Sequence, residues 1–90
     1  MHRYFIKAFG RVQGVGFRYF ASYIAKNFNL TGWVKNCDDG SVSMEVQGEA
    51  QSISSFIEKI NKGNAFVKVD NMDCKEIEHI NNEKSFKVIY

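Results

Sequence analysis

Ninety residues with 44% hydrophobic content suffice for one domain around one modest core. The formal charge of +2 is spread over interspersed lysines and acids with no basic stripe, which gives no argument for a nucleic-acid partner. No apolar run approaches a membrane span. The opening Met1-His2-Arg3-Tyr4-Phe5 lacks the long apolar stretch and cleavage site of a secretory signal, so the cytoplasm is the expected compartment.

Arg3–Phe9 reads as a first strand, with Tyr4, Ile6 and Ala8 on one face and Phe5, Lys7 and Phe9 on the other. The loop Gly10-Arg11-Val12-Gln13-Gly14-Val15-Gly16 follows and opens a helix at Phe17-Arg18. Glycines let the chain turn so that successive N–H groups point into one concavity, and a helix start adds further unpaired donors. Arg18 would bring a planar fork of donors to the same place. This arrangement suits a phosphate or carboxylate. The residues alone also allow a plain turn followed by a solvated arginine. Two other glycine loops are excluded. A nucleotide-binding loop ending Gly-Lys-Ser/Thr is absent, since Phe17 and Arg18 follow Gly16, and the dinucleotide fingerprint would need a glycine where Tyr19 stands.

Phe17, Phe20, Ala21, Ile24 and Phe28 recur at helical spacing and mark the inner face of a helix of about three turns. Gly32–Lys35 reads as a second strand, and Asn36–Gly40 as a hairpin connection with Asp39-Gly40 as the tight-turn signal. Ser41–Gln47 alternates, with Val42, Met44 and Val46 inward and Ser43, Glu45 and Gln47 outward, which predicts a half-buried strand. After Gly48, residues Ile53, Phe56, Ile57 and Ile60 line a second helix that Gly63 ends. Phe66–Ile80 carries strand material with an expected interruption near Asp70-Asn71. Asn81–Lys84 is a polar loop, and Ser85–Tyr90 is a final strand.

Strand, helix, strand, strand, helix, strand is the order of two split right-handed βαβ units. It predicts a ferredoxin-like α/β sandwich, a mainly antiparallel sheet with both helices on one face, forming a single domain over residues 1–90. That topology serves many functions and settles none. Cys37 and Cys74 are widely separated and read as free thiols, with a disulfide as the alternative in an oxidising compartment. With only His2 and His79 beside them, no zinc set or nucleophile–base pair emerges. Asn36, at the end of the second strand, is either a turn residue or a neutral amide offered to a water beside the glycine loop.

The segment Gly10–Arg18 taken with Gly32-Trp33-Val34-Lys35-Asn36 resembles the paired signature of the acylphosphatases. The likeness extends through Asp39-Gly40-Ser41-Val42 and Val46-Gln47-Gly48. It implies hydrolysis of carboxyl phosphates such as acetyl phosphate, carbamoyl phosphate or the acyl phosphate of a glycolytic intermediate. Carried over by position, Arg18 matches the arginine that binds the phosphoryl group, and Asn36 the asparagine that positions the attacking water. The backbone of Gln13, Gly14, Val15, Gly16, Phe17 and Arg18 matches the phosphate cradle. The resemblance implies no metal and no cofactor, and a monomer is expected.

Two departures stand out. Cys37 follows the asparagine where a small hydroxyl residue is frequent, and Gly63-Asn64-Ala65-Phe66 lacks a proline often found there. The alternatives are a non-catalytic module binding acyl or carbamoyl phosphate and an RNA-binding domain of the same topology. The length of 90 residues fits the module less well than a free-standing enzyme. Outward Glu45, with no aromatic on the third strand, speaks against RNA.

Overall fold

A computed structural model describes residues 1–90. The elements are β1 (His2–Arg11), α1 (Phe17–Asn27), β2 (Thr31–Asn36), β3 (Val42–Gly48), α2 (Ala50–Lys62), β4 (Lys68–Ile77) and β5 (Phe86–Ile89). The sheet order is β4-β1-β3-β2-β5, with β2–β5 the one parallel pair. The expected six elements of the ferredoxin-like sandwich are present. The final strand read over Ser85–Tyr90 is β5, which lies beside β2 as a fifth strand of the sheet.

The alternation read from the sequence sets the core. Ile6 and Ala8 of β1, Val34 of β2 and Val42, Met44 and Val46 of β3 are fully buried. They meet Phe17, Ala21, Ile24 and Ala25 of α1 and Ile53, Phe56 and Ile60 of α2 in one apolar cluster. Burying a large aliphatic or aromatic side chain stabilises by about 1.5–3 kcal/mol, so this cluster is the main source of stability.

β4 runs unbroken through Asp70-Asn71, where an interruption was expected. Phe9 pairs with Asn71 and Gly10 with Val69, so Asp70 is the extra residue of a β-bulge. The phase shift turns Val69 and Met72 to the same face although they are three residues apart, and both pack on the core.

β3 is buried more completely than its alternation predicts, because Ser43 and Gln47 on its outward face are also covered. The connection from β4 to β5 has to cross the sheet from one edge to the other, and it covers the outward face near Gln47. The Gln47 side chain donates to the Ile80 carbonyl at 2.9 Å and accepts from the Ile80 N–H at 2.9 Å. Arg3, 2% exposed, lies beneath this strap and binds Glu45 at 2.7 Å, Glu83 at 2.8 Å and Gln47 at 3.1 Å. The loop expected to be merely polar is therefore a clamp. In place of a proline after α2, the Asn64 side chain accepts from the N–H groups of Phe66 and Val67 at 2.8 and 2.7 Å.

Candidate active site

β1, β2 and β5 point the same way across the sheet, so the loop after β1, Asn36 and Ile89 meet at one edge. There a cleft of about 200 Å³ is lined by Val12, Gly14, Gly16, Phe17, Arg18, Tyr19 and Asn36. The two segments singled out in the sequence thus face one concavity.

Gly14 and Gly16 adopt φ of 73° and 78°, a left-handed conformation that L side chains resist. Gly16 stands at the N-cap of α1 with no side-chain cap, and no acidic residue occupies the first turn. The backbone N–H groups from Gln13 to Tyr19 take no part in the turn, loop and cap hydrogen bonds. The first engaged donor is Phe20, bonded to the Gly16 carbonyl at 3.0 Å. A row of free donors at the positive end of a helix, with no carboxylate competing, favours an anion.

Arg18 is half-buried, and its side chain makes no ion pair. Its Nη1 donates to the Ile89 carbonyl at 3.3 Å, and its guanidinium lies 4.8 Å from the Tyr90 ring centroid. The Tyr19 and Tyr90 hydroxyls meet at 2.6 Å, and that contact pushes the Tyr90 phenol above its usual range. Arg18 is therefore held from the side, with its charge left for a ligand. The Asn36 side chain, half-buried on the cleft, has no hydrogen-bond partner within the protein.

Other predicted site residues play different parts. The Phe17 ring is buried in the core and packs edge-on against Phe20, so only its backbone faces the cleft. Val15 also packs towards the core. The Gln13 side chain turns away from the cleft and donates to the carbonyls of Cys37 and Ser41 at 2.7 and 2.8 Å. Cys37 and Cys74 are free thiols, and the Cys37 Sγ meets the Ser43 hydroxyl at 3.0 Å. Sequence reasoning missed Val12, Tyr19 and Tyr90. Adjacency to Arg18 was an available signal for Tyr19, whereas nothing local marks Tyr90.

The hairpin beneath Asn36 is tied by hydrogen bonds and an ion pair. The turn spans Cys37–Gly40, within the connection read over Asn36–Gly40, with the Gly40 N–H bonded to the Cys37 carbonyl at 3.2 Å. The Asp39 carboxylate accepts from the Ser41 hydroxyl and the Ser41 N–H and pairs with Lys7 at 3.2 Å. Together these lower its pKa to about 2.

The acylphosphatase family model matches residues 4–88. An acylphosphatase of Clostridium acetobutylicum is 53% identical over 90 residues, covering 100% of this chain and 99% of that protein. The crystal structure of acylphosphatase from Bacillus subtilis superposes with a TM-score of 0.94 at 40% identity, covering 100% of both chains. Full-length HypF, in a phosphate- and nucleotide-bound form, contains a similar part. There the TM-score is 0.84 at 34% identity, over 99% of this chain and 12% of that one.

Proposed function

Because the chain belongs to the acylphosphatase family of hydrolases, we propose that it cleaves the carboxyl–phosphate bond of small acyl phosphates, releasing carboxylate and inorganic phosphate. The phosphoryl group sits in the loop, held by the amides of residues 13–18 and by Arg18. Asn36 orients the attacking water. The observation that carries this reading is the convergence of free N–H donors, an unpaired Arg18 and an unpartnered Asn36 amide on one cleft.

The chemistry needs little more. An acyl phosphate has a good leaving group, so positioning and electrostatic stabilisation supply most of the catalysis in a loose phosphoryl-transfer transition state. Amides and a guanidinium follow the charge on the phosphoryl oxygens without reorganising. Asn36 is neutral, so it orients water without repelling a dianion. No carboxylate or imidazole lines the cleft, and the substrate's own phosphate accepts the proton. In this reading the enzyme works without metal, as a cytoplasmic monomer of one domain.

A second reading is a domain that binds acyl or carbamoyl phosphate without turnover, and the similar part within the much longer, phosphate-bound HypF is the observation beside it. Hydrolysis of benzoyl phosphate in chelator, with wild type and Asn36→Ala side by side, separates the two. Rapid wild-type turnover that the variant loses establishes hydrolysis and the role of Asn36. A folded wild type that binds phosphate without turnover leaves only the binding module.

A further inference from the structure

We propose that Gln13 is a positioning residue, whose side-chain amide sets the distance between the phosphate loop and the water-orienting Asn36. This rests on the reading of Asn36 given above.

Both N–H bonds of the Gln13 amide are used, at 2.7 Å to the Cys37 carbonyl and 2.8 Å to the Ser41 carbonyl. Those carbonyls form the neck of the hairpin: the Cys37 N–H donates to the Ser41 carbonyl at 2.8 Å, and the Gly40 N–H to the Cys37 carbonyl at 3.2 Å. Cys37 directly follows Asn36, so gripping its carbonyl fixes the backbone that carries the Asn36 side chain. Gln13 directly precedes Gly14 and the row of free amides.

No other side-chain hydrogen bond joins the loop of residues 12–16 to residues 36–42. The loop contains Gly14 and Gly16, which lend it conformational freedom and no side-chain anchor of their own. Gln13 is thus the strut between the two halves of the site. Its effect falls on the approach of water to phosphorus, where a small misplacement is costly, and not on phosphate binding, which the loop amides and Arg18 provide.

The test is Gln13→Met, which keeps length and volume and removes both donors, made in wild type and in Asn36→Ala. Benzoyl phosphate turnover should fall on the order of ten- to a hundred-fold in the wild-type background, as for a small misplacement of reacting groups. Inhibition by inorganic phosphate should stay within about two-fold, a loss confined to turnover. On Asn36→Ala the same change should cost little more, since coupled residues are non-additive. The side-chain amide signal of Asn36 in an NMR spectrum should also shift or broaden in Gln13→Met.

An equal fold-loss on both backgrounds would assign Gln13 a general structural role and overturn the proposal. So would full turnover with an unmoved Asn36 signal. If the wild type proves inactive, the acylphosphatase reading falls by itself, and the Asn36 signal still decides the strut. Gln13→Glu, which sets a carboxylate against both carbonyls, should displace the same signal. It serves as the second variant should Gln13→Met fail to fold.

Discussion

The guanidinium of Arg18 lies against the ring of Tyr90, 4.8 Å from its centroid, although 71 residues separate the two segments that meet there. The contact exists because β5 is parallel to β2 and ends at the edge where α1 begins. Together with the Ile89 carbonyl at 3.3 Å, it gives a long, flexible side chain a fixed resting place.

Removing that support should weaken phosphate binding without unfolding the protein. A partly exposed cation–π contact is worth about 0.5–1 kcal/mol, so Tyr90→Ala should raise the inhibition constant of inorganic phosphate about two- to five-fold. Tyr90→Phe loses the hydroxyl contact to Tyr19 and keeps the ring, so it should match wild type. Equal effects of the two substitutions would show that the hydroxyl, not the ring, matters.

Arg18 itself should dominate the energetics of the transition state. Losing a preorganised donor of this kind costs about 3–4 kcal/mol, and Arg18→Ala should lower kcat/KM by the corresponding two to three orders of magnitude. Arg18→Lys retains the charge without the planar fork and should recover only part of the rate. Thermal unfolding should change little in both, because Arg18 makes no ion pair and loses only an exposed bond to Ile89 and the ring contact with Tyr90. A large fall in melting temperature would point to a structural role.

The hairpin beneath Asn36 should loosen only in strong acid. Asp39 titrates at about 2, against an ordinary 3.8, because the Ser41 hydroxyl and N–H and then Lys7 favour its charged form. A depressed carboxylate adds stability that is fully present above its unfolded value and disappears as pH falls through the folded one. The window is therefore about pH 4 down to pH 2. Carboxyl carbon shifts followed by NMR should place the midpoint near 2 in wild type and closer to the ordinary value in Ser41→Ala. An ordinary midpoint in wild type would contradict the hydrogen bonds.

Arg3 should matter to stability and not to activity. Its side chain is 2% exposed and faces Glu83 and Glu45, which are 15% and 24% exposed. Burial works against the charge of Glu83, yet the bonds from Arg3 and Thr31 outweigh it and lower its pKa. Removing one partner of a buried pair costs about 3–5 kcal/mol, so Arg3→Ala should show that loss in urea unfolding while any folded fraction keeps its kcat. The Glu83 contribution holds above its ordinary value of 4.5 and fades as pH falls through its lower folded value, so the gap between wild type and Arg3→Ala should narrow in acid. A loss below 1 kcal/mol at neutral pH would mean that the strap is held by Gln47 and Ile80 alone.

Much of this protein is legible in one dimension. Two-residue and three-to-four-residue apolar periods select strands and helices, because each element must bury one face. They identify Ile6, Ala8, Met44, Phe17 and Phe56 as core. Glycines at 14 and 16 before a helix announce free amides, since the chemistry of that loop is local to its own backbone. Arg18 and Asn36 are marked by the paired motif shared with the acylphosphatases, since taken alone each also fits an ordinary helix or turn position.

Tertiary structure decided the remainder. The bulge at Asp70 that turns Val69 and Met72 inward depends on pairing with β1. Partners of Gln13 lie 24 and 28 residues away, and Glu83 lies 80 residues from Arg3. A side chain that bonds across the sheet leaves no period in the sequence, because its partner's position is set by strand order and register. Hence the loop and the asparagine are properties of the sequence, while the strut between them and the ring behind Arg18 are properties of the fold.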